Sequence, residues 1–202
     1  TSYPGSNVRL EIKQNKIWSK EETYIVSTIL KYMKEGTFID VGANTGYFSF
    51  LALSYNFNVI AFEPNKIHTP HFMKTMDSNN FDKSKLKHYE LFVSNNDNNN
   101  ILFDGWTSHP GLVNNDLHKV DTISLDQVIT ECVFIKIDVE GFEPNVIQSA
   151  KNMIENKKIP YIMFEITYII DNVVDDSQID MLHYLKKNDF NIFEIQPEKL
   201  IS

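Results

Sequence analysis

At 202 residues, 42% of them hydrophobic and 23% charged, the chain has the length of one domain and enough apolar material for a core. Its 19 Lys and Arg against 27 Asp and Glu give a formal charge of -8, which argues against nucleic acid, a partner held largely by cations on phosphates. No apolar run reaches membrane-spanning length, and a single cysteine, Cys132, rules out an internal disulfide and a zinc–cysteine cluster. Cys132 reads as a buried, inert thiol, and a cytoplasmic setting fits these features.

Residues 1–35 read as an N-terminal arm followed by a helix. Ser19, with Glu22 three residues on, has the pattern of a capping box. Tyr24, Ile25, Thr28, Ile29 and Tyr32 then share one helical face, and Gly36 stops the helix. Thr37 to Val41 is a strand. It runs into Asp40-Val41-Gly42-Ala43-Asn44-Thr45-Gly46, a glycine-bracketed turn that opens a nearly all-apolar, hence buried, helix to about Tyr55.

Asn58 to Phe62 is the next strand and ends in Glu63-Pro64-Asn65. An acid at that distance after the first glycine lies within reach of a ribose held over the turn. A dinucleotide fold asks for G-x-G-x-x-G, so that a diphosphate meets bare backbone at a helix N-terminus. Here the turn is Gly42-x-x-x-Gly46 with Asp40 just before it. That carboxylate repels a diphosphate and suits the ammonium and sulfonium of S-adenosylmethionine.

Downstream, a polar helix spans Lys66 to Asn79, its start delayed by Pro70. Lys87 to Val93 is the third strand, ending in Ser94-Asn95-Asn96-Asp97 where open α/β folds place ligands. Residues 98–121, with Phe103, Trp106 and His109, read as a hairpin or loop insertion over the site. Ser124 starts a short helix to Thr130, Val133 to Asp138 is the fourth strand, and Asn145 to Glu155 is an amphipathic helix. Tyr161 to Ile166 is the fifth strand, Ile179 to Lys187 a helix, and Phe190 to Ile195 a further strand. Strands alternating with helices predict one α/β domain over 1–202, with a mostly parallel sheet and helices on both faces.

The glycine turn, Phe62-Glu63-Pro64-Asn65, and above all Ser124-Leu125-Asp126 with Ile135-Lys136-Ile137-Asp138-Val139-Glu140-Gly141-Phe142-Glu143 resemble the FkbM methyltransferase family. Glu165-Ile166 after the fifth strand also fits. The resemblance covers roughly Thr37 to Ile166; its specific part is the K-I-D-V-E-G run, since all class I methyltransferases share the glycine turn. It implies a class I, Rossmann-like fold with a seven-stranded sheet. It also implies S-adenosylmethionine-dependent O-methylation of a sugar, glycan or secondary-metabolite hydroxyl. The 98–121 stretch and the short N-terminal arm depart from the family pattern.

Methyl transfer is an in-line displacement: the acceptor oxygen sits ~3 Å from the methyl carbon and loses its proton as it attacks. By position, Gly42 and Gly46 admit the methionine part, Asn44 or Thr45 bonds its carboxylate, and Asp40 faces its ammonium or a bridging water. Glu63 accepts both ribose hydroxyls, Asn65 adjoins ribose and adenine, and Ser94 or Asn95 reaches the adenine edge. Asp138 lines the cofactor, and Glu140 faces the acceptor as general base or, alternatively, caps the turn before Gly141. Asp138, Glu140 and Glu165 can also suit Mg²⁺, although the reading adopted is metal-free. A lid histidine, His109, is a further candidate base, and Trp106 or Phe103 can stack on a sugar.

A nicotinamide-dependent oxidoreductase is the competing enzyme; the missing G-x-G and the absence of a Tyr-x-x-x-Lys pair oppose it. A cofactor-binding module without turnover is the non-enzyme alternative. The expected partner is a small-molecule or glycan acceptor, with neither nucleic acid nor membrane.

Overall fold

Consecutive apolar residues such as Phe38-Ile39 and Val59-Ile60-Ala61 demand a strand covered on both faces, and a parallel sheet between helices provides that cover. The computed structural model describes residues 17–95, 100–103, 118–166, 168–169, 173–174 and 176–195. The N-terminal arm before residue 17, Trp106 and His109 lie outside the described residues. In chain order come α1 (Lys20–Met33), β1 (Thr37–Val41), α2 (Tyr47–Ser54), β2 (Asn58–Phe62), α3 (Thr69–Ser78), a 3-10 turn (Lys83–Lys85), β3 (Leu86–Tyr89) and β4 (Phe92–Val93). There follow β5 (Asn100–Phe103), β6 (His118–Ile123), α4 (Leu125–Val128), β7 (Phe134–Ile137), α5 (Glu143–Ser149), α6 (Lys151–Glu155), β8 (Tyr161–Phe164), β9 (Tyr168–Ile169), β10 (Val173–Val174) and α7 (Asp176–Lys187).

The central sheet is wholly parallel, in the order β3-β2-β1-β7-β8. Side chains alternate across it. Ile39, Val41, Ile60, Phe62, Ile135 and Ile137 pack with Val146, Ile147, Met181 and Leu185 on one face. Phe38, Val59, Ala61 and Phe134 pack with Val26 and Leu30 of α1, Ala52 of α2, and Phe72 and Met76 of α3 on the other. Each such fully buried side chain stabilises the fold by roughly 1.5–3 kcal/mol relative to exposure. The same alternation points Asp40 and Lys136, register partners on β1 and β7, toward the face of α1, α2 and α3.

The architecture is the expected α/β arrangement with a parallel central sheet, but that sheet has five strands among the described residues rather than seven. One reason is that the stretch expected as a single third strand divides. β3 stays in the central sheet, whereas β4 leaves it to pair with β6. The break falls at Glu90, whose carboxylate accepts a hydrogen bond from Thr69 Oγ1 (2.7 Å), and Phe92 beyond it sets its ring edge-on to Phe142. β5 pairs antiparallel with the other edge of β6, so both arms of the 98–121 stretch are strands.

Residues 190–195, expected as a strand, carry no strand pairing, and Phe193 is 85% exposed. Alternation proposes a strand, but a ladder partner makes one. The expected helix over 145–155 is two short helices meeting at Ala150. The capping box also fails: Ser19 sits at φ 45°, ψ 72° with no side-chain cap. Its place is taken by Thr23, whose hydroxyl donates to the Trp18 carbonyl (2.6 Å) and lies 3.2 Å from the Tyr47 hydroxyl. Tyr47 opens α2, so the start of α1 is tied to the helix that follows the glycine turn. α3 begins at Thr69, later than Lys66, with Pro70 in its first turn where a missing N–H costs nothing. Cys132 is buried and burial pushes its thiol up to about 12, which leaves it inert.

Candidate active site

The glycine turn is latched to the neighbouring strand. Gly42 and Ala43 N–H groups both donate to the Phe62 carbonyl at 3.0 Å. Asn44 N–H donates to Glu63 Oε2 and Asn65 N–H to Glu63 Oε1, each at 2.8 Å. Glu63 is thereby held between the ends of β1 and β2, with its side chain buried. Burial pushes its carboxyl up, and the two backbone bonds and the Lys136 charge oppose this. Asn65 Oδ1 accepts from Ile67 N–H (3.1 Å) and shapes the loop that follows.

Gly42, Asn44 and Gly46 all have left-handed backbone, at φ 76°, 50° and 88°. Thr45 lies half-buried between them. A Cβ on Gly42 would stand 1.9 Å from the Asp138 carbonyl oxygen, and one on Gly46 would stand 2.4 Å from the Phe72 ring. The room left by both missing side chains is therefore filled by protein. The glycines are required first for packing.

Asp40 is 1% exposed. Ser49 Oγ donates to its Oδ2 at 2.6 Å, while Oδ1 has no hydrogen-bond partner and lies 3.9 Å from Lys136 Nζ. Burial pushes this carboxyl up, and Lys136 and Ser49 pull it back. Its cation within the fold is thus Lys136. That lysine also sits 3.0 Å from Asp138 Oδ2, 3.4 Å from the Gly42 carbonyl oxygen and 5.5 Å from the centre of the Phe48 ring. Burial alone pulls its ammonium down; the carboxylates of Asp138, Asp40 and Glu63 outweigh it and hold the group above its ordinary range.

The turn after β7 is built differently. Asp138 N–H donates to the Val41 carbonyl (3.0 Å), which sets this turn beside the first. Glu143, fully buried at the start of α5, accepts from both Val139 N–H and Gly141 N–H at 3.2 Å through one oxygen. Glu143 thus bonds the backbone on both sides of Glu140. Glu140 is exposed, with a left-handed φ of 53°. Desolvation, followed by the charges of Asp138, Glu140 and Glu143, pushes Glu165 up. Burial pushes Glu22 on α1 up as well, with Asp138 and Lys136 both in its field. Ser94 lies buried at the end of β4, its N–H donating to the Ile123 carbonyl at 3.0 Å and its Oγ 3.5 Å from Asn95 Oδ1.

The structure thus brings Asp40, Gly42 and Asp138 onto one lysine, and Asn44 and Asn65 onto one glutamate; Ser94 stands on the neighbouring β4–β6 ladder. Among the described residues no group of three His, Cys, Asp or Glu side chains is arranged to hold a metal ion. No described helix is long and apolar enough to cross a membrane. The donor set can be tested against the cofactor that the glycine turn suggests. Each Glu63 oxygen keeps a further lone pair beyond its backbone bond, so the fixed carboxylate can accept from two neighbouring hydroxyls. The residues fit a ribose.

The pattern described as the Methyltransferase FkbM domain matches residues 40–192, from the aspartate of the glycine turn to beyond α7. The chain belongs to the FkbM methyltransferase family. Solved structures agree on the fold. A FkbM methyltransferase from Methylobacillus flagellatus KT is 19% identical with a TM-score of 0.54, over 76% of this chain and 37% of that one. The chain thus spans little more than a third of that relative's length. A precorrin-6y C5,15-methyltransferase from Geobacter metallireducens GS-15 is 13% identical with a TM-score of 0.50, over 85% of this chain and 71% of that one. A putative caffeoyl-CoA O-methyltransferase from Staphylococcus aureus is 9% identical with a TM-score of 0.50, over 93% and 81%. No curated protein matches the chain significantly in sequence. Membership in this methyltransferase family, with a class I fold, implies use of S-adenosylmethionine.

Sequence reasoning named Lys136 and Glu143 only as members of the Ile135-to-Glu143 run, took Glu22 only as part of a capping pattern, and passed over Ser49. Strand parity could have found the first: a lysine two residues after Phe134 on a buried strand faces the same way as Asp40 once β1 and β7 pair. The roles of Ser49 and Glu22 depend on helix docking, whereas Glu143 bonds N–H groups two and four residues before it within its own turn.

Proposed function

We propose that this FkbM-family protein is an S-adenosylmethionine-dependent O-methyltransferase acting on a neutral hydroxyl-bearing small molecule, a sugar or glycan in preference to a secondary metabolite. The observation that carries the cofactor half is Glu63, fixed at the end of β2 by the N–H groups of Asn44 and Asn65. When bound, S-adenosylmethionine supplies a methyl group on a sulfonium. Glu63 takes the ribose hydroxyls, and Asn44 and Thr45 of the glycine turn take the methionine end. Asp138, held by Lys136, presents a fixed anion beside that turn. Glu140, exposed on the adjoining turn, would take the proton of the acceptor's hydroxyl.

The acceptor class follows from charge. Besides burial, the charges of Asp138, Glu140 and Glu143 all push Glu165 up, Asp138 also pushes Glu143 up, and Glu22 lies in the field of Asp138. Such an acidic end repels phosphorylated or sulfated acceptors and tolerates neutral ones. Calorimetric titration with S-adenosylhomocysteine, with NAD as control, tests the reading. Micromolar binding of the first and none of the second is expected. Binding of NAD alone would replace it with an oxidoreductase. Labelled-methyl transfer to neutral sugars, but not to their phosphates, is the expected outcome of an acceptor screen.

A further inference from the structure

We infer that Lys136 is the positioning residue of this site: one buried ammonium joins the Gly42 carbonyl, the Asp40 carboxylate and the Asp138 carboxylate, and so fixes the glycine turn against the acid turn. The argument begins with cost. Enclosing a lysine takes several kcal/mol of hydration from its charge, and an apolar side chain of similar volume would fill the same space with less penalty. Lys136 is nonetheless 7% exposed, and among the described residues it is the one basic side chain that is buried. Its contacts are not those of a filler. They come from three separate places in the chain: the turn after β1, the turn after β7, and Phe48 at the start of α2.

Among the described residues, the charged groups that raise Lys136 most are acids. Asp40 faces it from β1, Glu63 from the end of β2, and Asp138 from its own turn; Glu22 on α1 and Glu165 after β8 feel its charge. Without the ammonium, Asp40, Glu63 and Asp138 would face one another with their mutual repulsion unrelieved. The two turns would then move apart or take up protons. Lys136 acts on the ligand only through the turns it holds, and its connection to the cofactor rests on the function proposed above.

Two variants test this, each read by thermal unfolding of the ligand-free protein and, separately, by calorimetric titration with S-adenosylhomocysteine. Lys136→Met keeps the apolar stem and removes the charge. Its melting temperature is expected to fall by about 10 °C near neutral pH. The deficit should shrink as the pH is lowered toward about 5.5, because protonating acids in the folded state replaces the lost cation. Binding of S-adenosylhomocysteine should weaken about tenfold near neutral pH and partly recover at the lower pH. A deficit that is constant with pH overturns the inference, because a lysine that merely fills space loses the same packing at every pH.

If Lys136→Met does not fold, Asp138→Asn decides. It removes the acid 3.0 Å from Nζ at a side chain that is 43% exposed. The ammonium then gives up its proton more readily, and the alkaline loss of stability should begin about one pH unit below that of the wild type. An unchanged alkaline limb overturns the inference. If the wild-type protein binds no S-adenosylhomocysteine, the cofactor reading fails, while the pH dependence of stability still decides the role of Lys136.

Discussion

The turns after β1 and β7 carry the same kinds of residue, acids and glycines, yet they are built to opposite ends. In the first, both carboxylates are enclosed: Glu63 is bonded to two backbone N–H groups, and Asp40 to Ser49 with Lys136 alongside. In the second, one buried acid, Glu143, holds the backbone so that Glu140 can stay exposed. The glycines differ accordingly. A Cβ on Gly42 collides with the Asp138 carbonyl, whereas one on Gly141 meets nothing within 4 Å. The first turn is held by backbone and side-chain bonds from β2, α2 and β7. The second turn keeps open space at Gly141 and is held by one buried carboxylate.

Substitutions can break this contrast, and the largest effect is expected at Gly42. Gly42→Ala adds a backbone collision to a left-handed φ, so chemical denaturation should show a loss above about 4 kcal/mol, or no folded protein. Glu140→Gln comes next. Turnover should fall by about 10²–10⁴-fold with S-adenosylhomocysteine affinity nearly unchanged; normal turnover would leave Glu140 a surface residue. Glu63→Ala should weaken S-adenosylhomocysteine about a hundredfold, because two ribose hydroxyls and two backbone N–H groups lose their acceptor. Unchanged affinity would refute the ribose assignment. Gly141→Ala should cost only about 1 kcal/mol, the strain of φ 100° alone, and a loss as large as that at Gly42 would end the comparison.

The smallest effect concerns pH. Glu22, Asp40, Glu63, Glu143 and Glu165 are all raised, in each case chiefly by burial. A raised carboxyl binds its proton more tightly folded than unfolded, so stability grows as pH falls through the folded value toward the ordinary carboxylate range. The melting temperature should therefore rise modestly between neutral pH and about pH 5. A steady fall over that window would show that these acids are ionised and fully compensated.

How much of this was legible beforehand depended on distance along the chain. The third strand read as one piece because Lys87 to Val93 alternates and then turns apolar; its division depends on Thr69 and Phe142, which that window does not contain. The Ser19 capping pattern was present and unused, because Thr23 and Tyr47 hold the start of α1 instead. At the site, the residues recognised were those inside contiguous motifs. The packing of Gly42 was not legible because the Asp138 carbonyl arrives from elsewhere in the chain, whereas the Glu143 carboxylate lies in the same motif as Glu140.

The order of strands and helices, the α/β class, the glycine turn and the acid that closes β2 are properties of the sequence alone. Periodicity and turn chemistry act over a few residues and need no partner to be recognised. The meeting of Gly42 with Lys136, 94 positions apart, was decided only in three dimensions. It requires β1 and β7 to pair in one register, and that register is set by packing on both faces of the sheet, a condition no local stretch of the chain contains.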